Sequence, residues 1–415
     1  MSEPILATRY MSRFRCTGAE CEDTCCQVAD WTVAVLEPDY RRVEAAFSTT
    51  DADRAQFERT FDKVPPGPDR PFAVLRPRED GHCALLDDRK LCELHGRFGE
   101  PVLPTPCAMY PRMVTRVGER FELSGRLSCP EVARLCLLAR DAIDAVPVPA
   151  EALGRRFVSL MVDVTAASHP YVEAFEPVRE VLVGLLSLTR FPWTSRMFFV
   201  AALAHSLHEF FRRDTPPCEP ERVGAALREL GRRETLEALH EKFVVSEGND
   251  ALAMAVAAAL VRARLETDGQ PALRRVAQAA ALDARPLEQQ AAAHARSRAR
   301  LNEALAARVE LWFANYCRNY FIQDWYLQSS SLMEHVMRLL LRIAMVRALL
   351  FAHPGLDRAL LALDRAAACD AVAVEVFYSV ARAFDHNDSI RAQLGHALTE
   401  HKLSSLAHAV AFLKF

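Results

Sequence analysis

The residues best suited to chemistry are cysteines. RCTGAECEDTCC, residues 15–26, places Cys16, Cys21, Cys25 and Cys26 within twelve positions, and Cys83, Cys92, Cys107 and Cys129 follow. Nine of the chain's twelve cysteines, counting Cys136, lie in the first third. In a reducing compartment such density points to metal ligation or redox chemistry more than to disulfides. Thiolates drawn from separate segments would stitch a loop-rich region together around metal, whose binding energy offsets the cost of deprotonating them. Only C21-x3-C25 resembles a zinc knuckle, and no histidine sits at finger spacing, although His82 and His95 flank Cys83 and Cys92. An all-thiolate set suits an iron–sulfur cluster, most simply of the 4Fe-4S type, with zinc as the alternative. The spacing C-x3-C-x2-C of radical enzymes is absent, because Cys26 follows Cys25 directly. Cys218, Cys317 and Cys369 carry no spacing signal and read as ordinary small residues.

The elements that must position these thiols divide the chain in two. Residues 1–146 read as a Cys-rich α+β module punctuated by VPPGPDRP and PVLPTP. WTVAVL (31–36) suggests a strand, MVTRV and RFELSGRLS flank Gly118-Glu119 like a hairpin, and helices are expected from Pro38 and Pro130. Beyond VPVPAEA, residues 147–415 carry helical periodicity. In SLMEHVMRLLLRIAMVRALLF, Leu332, Val336, Leu339, Ile343, Val346 and Leu350 form one stripe, with Arg338 and Arg342 off it. Residues 250–310, rich in Ala and Arg, read as helix with a solvated surface. The fold expected is therefore mainly α, a small Cys-rich α+β module followed by a helical domain. Fifteen glycines include no G-x-G, and no βαβ pattern appears, so a Rossmann-type sheet is excluded.

A net charge of −3 gives no electrostatic argument for nucleic acid or an anionic membrane. No apolar run approaches the ~20 residues of a membrane span, and the N-terminus lacks a signal-type apolar region. A cytoplasmic protein is expected. Oligomeric state is not legible.

FRCTGAECEDTCCQVADWTVAV, CALLDDRKLCELHGRFGE, PCAMYPR and LSCPEVARL, in that order, resemble the flagellin lysine N-methylases of the FliB type, which carry a Cys-rich chelating domain. FANYCRNYF (313–321) and ARAFDHND (381–388) resemble that family's C-terminal elements. One departure is Cys83-Ala84-Leu85-Leu86, where the family commonly has Cys-Pro-Phe-Leu; the thiol is kept. The resemblance implies methyl transfer from S-adenosylmethionine to lysine ε-amines of flagellin, and a bound iron–sulfur cluster.

Such transfer needs a neutral amine and a donor methyl held in line with it. Residues beside the motifs are the candidates. Tyr110, Tyr316 and His386 are read as catalytic, and Arg112, Asn315, Tyr320 and Asp385 as cofactor-binding. Arg112 offers bidentate pairing to the donor's carboxylate. Tyr316 and Tyr320 repeat at i, i+4, as do Asn315 and Asn319. Arg382 and His386 share a helix face with Glu375 and Tyr378 before them, and Arg338 and Arg342 place a polar cleft among the C-terminal helices. Competing readings are a non-enzymatic metal-binding adaptor and a redox sensor whose cysteines lose metal on oxidation.

Overall fold

The computed structural model describes residues 5–28, 31–68, 70–155, 158–163, 169–267, 269–282, 286–386 and 388–415. Helices dominate, as expected, and the strands are short.

Among the described residues eight strands form two small sheets. They are β1 (Ile5–Thr8), β2 (Ala34–Val35), β3 (Phe61–Lys63), β4 (Ala73–Leu75), β5 (Arg112–Val117), β6 (Arg120–Gly125), β7 (Ala145–Val148) and β8 (Leu160–Val162). The larger sheet has the order β7-β1-β6-β5-β8, and the smaller β2-β4-β3. The expected hairpin is β5–β6, antiparallel, with Arg112 opposite Gly125 and Val117 opposite Arg120. Its two-residue turn uses Gly118 at φ +57°, the conformation that a tight hairpin matching strand twist requires. WTVAVL contributes only Ala34 and Val35 to a strand, paired with Val74 and Ala73 of β4. The helix expected from Pro38 runs Glu37–Ala46, with the proline in its first turn. β7 lies on the expected boundary and pairs antiparallel with β1, so the larger sheet continues past residue 146 to β8.

The core reflects the same continuity. One apolar cluster runs from Ala7 through Phe415, while a second holds Tyr40, Phe47, Phe57, Phe61, Cys83 and Leu94 beneath the smaller sheet. At the centre of the first lies the helix Leu332–Ala352, buried on nearly every side. Helices Trp193–Ser206, Asp250–Leu265, Leu287–Gln323, Arg365–Phe384 and Leu406–Lys414 pack around it. Ser331 caps its start by accepting from the Glu334 amide, and the Glu334 carboxylate returns to the Ser330 amide at 2.9 Å, a capping-box arrangement. A helix buried all round must neutralise its own polar side chains, which explains the partners of Arg338 and Arg342 described below.

Sheet and helical body are joined by Tyr10. Its hydroxyl accepts from the Gly125 amide at 2.6 Å and donates to Asn319 Oδ1 at 2.7 Å, deep in the core. Gly125 is obligatory there, since a Cβ would lie 2.4 Å from Met11 Sδ.

Candidate functional site

The cysteines are gathered by short elements. A 3₁₀ turn, Gly18–Glu20, separates Cys16 from Cys21, and the Cys21 thiol donates to the Asp23 carbonyl at 3.4 Å. The Cys83 amide donates to the Cys26 carbonyl at 2.8 Å, tying the second cysteine segment to the first. Cys92 and Cys129 occupy the N-cap positions of helices Glu93–Phe98 and Pro130–Leu138, where backbone amides face their sulfurs. Amides at a helix start favour a thiolate. Cys107 lies on the short helix Thr105–Met109.

Mutual electrostatics sorts the thiols into neighbourhoods. Burial pushes Cys83 up to about 12, and Cys26 and Cys92 add to the effect. Burial raises Cys107 well above the usual thiol value, reinforced by Cys83, Cys26 and Cys92. Burial pushes Cys129 up to about 12, with Cys21 and Cys16 contributing. Cys25 hydrogen-bonds Cys26, which brings Cys26 down to about 7 and raises Cys25; Cys107 and Cys16 both act on Cys25. Cys26, Cys83, Cys92 and Cys107 thus form one neighbourhood and Cys16, Cys21 and Cys129 another, with Cys25 between them. Cys25 and Cys107 are solvent-exposed. Among the described residues no three His, Cys, Asp or Glu side chains converge tightly enough to grip a single metal ion. The donor chemistry, soft sulfurs in two neighbouring groups, fits a thiolate-bound cluster better than a hard cation.

The cysteine loop is clamped to the helix Arg365–Phe384. Arg382, almost wholly buried, donates to the carbonyls of Asp23 at 2.7 Å and Thr24 at 2.9 Å. Its guanidinium lies 4.7 Å from the ring centroid of Trp31. Tyr378 donates to Asp23 Oδ2 at 2.5 Å, and Arg275 pairs with the same oxygen at 2.6 Å and with Glu375 at 2.7 Å.

Two expected catalytic residues meet at this clamp. His386 Nε2 is 2.6 Å from Ser128 Oγ, and Tyr110 OH is 3.1 Å from the same hydroxyl. Trp31 packs on both, with ring centroids 4.8 Å from His386 and 5.5 Å from Tyr110. Burial, then Arg126 and Arg382, pushes His386 down to about 3. Burial raises Tyr110 well above the usual phenol value. A neutral imidazole this reluctant to protonate serves as a hydrogen-bond partner before it serves as a base.

The other candidates make different contacts. Tyr316 packs edge-on against Phe377 at 5.0 Å. Tyr320 and Asp385 share Arg342, which stands 5.5 Å from the Tyr320 ring centroid and donates to Asp385 Oδ1 at 3.0 Å. Asn315 spends its amide on the carbonyls of Cys136 and Ala139, at 2.9 and 2.8 Å, closing the end of the Pro130–Leu138 helix. Arg112, at the start of β5, lies over Phe14 at 5.9 Å. Asn387, beside His386 in the polar triplet, falls outside the described residues. Sequence reasoning missed Ser128, Trp31, Asp23 and Arg275. The first three sit inside the quoted motifs, whereas Arg275 sits in the featureless Ala/Arg-rich stretch and gives no signal.

A groove of about 660 Å³ opens beside the clamp. Glu22 of the cysteine loop, Arg134, Arg275, Glu375 and Tyr378 line it, over an apolar floor that includes Val374. Its walls therefore come from the cysteine loop, the helix begun by Cys129, and the helix that carries Arg382.

Comparison with known proteins places this arrangement. A model of the FliB lysine N-methylase C-terminal domain matches residues 179–412, more than half of the chain. A lysine-N-methylase of Salmonella typhimurium (strain LT2) is 27% identical over 134 residues, an alignment spanning 32% of this chain and 32% of that protein. The match thus covers about a third of the relative's length. No solved structure matches. The matched segment holds the helix bearing Tyr316 and Tyr320, the central helix, and the helix bearing Arg382. The chain belongs to the FliB lysine N-methylase family.

Proposed function

We propose that the protein methylates lysine ε-amines of a protein substrate, flagellin by the family resemblance, using S-adenosylmethionine in the cytoplasm, where thiols stay reduced. The observation that carries this reading is the clamp of Arg382, Tyr378 and Arg275 on the cysteine loop. It makes the Cys-rich segment one wall of the groove and a helix of the methylase domain another.

The ammonium first gives its proton to water; the neutral amine then takes the methyl group, breaking the donor's S–CH₃ bond, forming N–CH₃ and releasing the donor as a neutral thioether. The groove's own residues serve the binding that precedes these steps. Glu22 and Glu375 attract the lysine ammonium, and the apolar floor accepts its methylenes. Tyr110 and His386, held on Ser128, and Trp31, held under Arg382, brace the cysteine loop from behind the clamp. Cys26, Cys83, Cys92 and Cys107 would hold an iron–sulfur cluster, with Cys16, Cys21, Cys25 and Cys129 as a second set. Bound there, a cluster supplies the positive charge that keeps buried thiols ionised and the rigidity that a loop-rich region lacks.

The test is incubation of anaerobically purified protein with flagellin and S-adenosylmethionine, followed by mass spectrometry of flagellin lysines. Methyl-sized mass increments that need both protein and donor are expected. Metal-replete protein that never adds a methyl group sinks the enzyme reading and leaves an adaptor.

A further inference from the structure

The groove beside the clamp is longer than one lysine side chain needs. Along the helix Arg365–Phe384 it is lined by Ala367, Asp370, Ala371, Val374, Glu375 and Tyr378, spaced three and four apart, so a single helix face forms its floor. From Ala367 to Tyr378 that face runs about 16 Å, at ~1.5 Å per residue. A volume of about 660 Å³ lies in the range that takes a whole drug-sized ligand, not one side chain.

The two ends differ in chemistry. At the Tyr378 end, Arg134 serves both Glu22 and Glu131, and Arg275 serves both Asp23 and Glu375. Asp370, midway, is matched by Arg308. Five carboxylates therefore share three guanidiniums along the groove. Arg382, buried behind Asp23 on the backbone of the cysteine loop, makes a fourth and still leaves negative charge in excess. That end suits a cation. At the Ala367 end the floor is made of small side chains, and Ala367 and Ala371 are both exposed. The turn that enters the helix there carries Leu361 and Leu363, 84% and 110% exposed, the two most exposed large apolar side chains among the described residues. Exposed leucines at the start of an apolar trough are the kind of feature that marks a protein interaction site.

We infer that the groove binds an extended segment of the protein substrate, about five residues at ~3.3 Å each, with the target lysine at the Tyr378 end and an apolar side chain four residues away on Ala367, Ala371 and Leu363. Residues i and i+4 of an extended chain point to the same face, so both side chains reach the floor together. The apolar position then decides which lysines are accepted. The identity of the reacting lysine rests on the proposed function; the binding preference needs no methyl transfer.

The experiment measures binding of fluorescein-labelled Lys-Ser-Ser-Ser-Leu and Leu-Ser-Ser-Ser-Lys to the intact chain by fluorescence anisotropy, with no donor present. The two peptides test the two chain directions. In one of them, replacing leucine by serine is expected to weaken binding about tenfold. Replacing lysine by glutamine should weaken it in a salt-dependent way. Ala371→Phe, which fills the trough from an exposed position, abolishes the leucine preference and keeps the lysine preference. The double variant Leu361→Asp, Leu363→Asp, on exposed turn positions, does the same should the first fail to fold. The inference is overturned if leucine and serine peptides bind alike in both directions, or if the leucine preference survives both variants. It is also overturned if the double variant changes the oligomeric state of the peptide-free protein, which assigns the leucines to a second copy of the chain. A leucine preference in protein that never transfers a methyl group upholds the peptide site and sinks the enzyme reading alone. Methylation of flagellin with no leucine preference does the reverse.

Discussion

Arg382 and Trp31 lie 351 positions apart in sequence, yet the guanidinium stands 4.7 Å from the indole centroid while donating to the carbonyls of Asp23 and Thr24. One side chain of the methylase domain therefore holds the backbone on which Cys21, Cys25 and Cys26 are mounted. Arg382→Ala leaves two carbonyls without their charged donor and removes the cation–π contact. A loss of about 3 kcal/mol in urea unfolding is expected, with reduced metal content per chain. Full metal retention in this variant would show that the loop holds itself.

Tyr10→Phe tests the joint between sheet and helical body. The variant keeps the ring in place but strands the Gly125 amide and Asn319 Oδ1, both served by the hydroxyl. A cost of about 2 kcal/mol is expected by chemical denaturation. Unchanged stability would mean that water replaces the hydroxyl.

Much of this was legible in advance, for reasons that particular residues make plain. The hairpin at Gly118 follows from local turn chemistry, whereas the helix face expected for Arg382 and His386 is not formed: the helix ends at Phe384, and His386, past its C-cap Asp385, meets Arg382 only through their shared contact with Trp31. Arg338 and Arg342 are buried and paired with Glu334 and Asp385, in a cavity separate from the groove that Glu375 and Tyr378 line. What stayed hidden depends on long-range placement. Nothing local tells that Arg275, in an Ala/Arg-rich helix, reaches Asp23, or that Asn315 closes another helix instead of facing a ligand. The extent of the larger sheet was equally hidden, because β8 joins it by pairing parallel with β5 across a long sequence gap.

Buried histidines set the acid limit of stability. His294 is pushed down to about 2, and His335 and His386 to about 3, in each case chiefly by burial. An unfolded chain takes up these protons near pH ~6.5, so their contribution is complete above that value and drains away as pH falls toward the folded-state values. Urea unfolding between about pH 7 and 5.5 should show stability falling with pH, approaching about 1.4 kcal/mol per pH unit for each histidine at the acid end. His386→Gln, which can still reach Ser128, should remove one histidine's share of that slope. A flat profile would contradict the burial of these rings.

Thiol replacement separates cluster ligands from core cysteines. Cys26 belongs to the first neighbourhood and Cys369 is wholly buried in the Arg365–Phe384 helix. Cys26→Ser should abolish visible charge-transfer absorbance and lower iron and acid-labile sulfide together, whereas Cys369→Ser keeps both. Colourless wild-type protein carrying stoichiometric zinc would replace the cluster by zinc sites on the same thiols.

The groove makes the final claim testable by charge. Glu22 reaches Arg134, and Glu375 reaches Arg275, so each acid already has one cation, and a lysine ammonium arrives as a second. Exposed charges of this kind act mainly on encounter and ground-state binding. Glu22→Lys and Glu375→Lys should therefore raise KM for the protein substrate by about tenfold at low salt, with kcat changed far less and the difference shrinking as salt rises. Glu375→Lys also frees Arg275, which keeps Asp23 as its partner, so the cysteine loop should retain its metal. Equal kinetics for wild type and both reversals, across the salt range, would remove this groove from the substrate's path and send the search for the lysine channel elsewhere on the Cys-rich face.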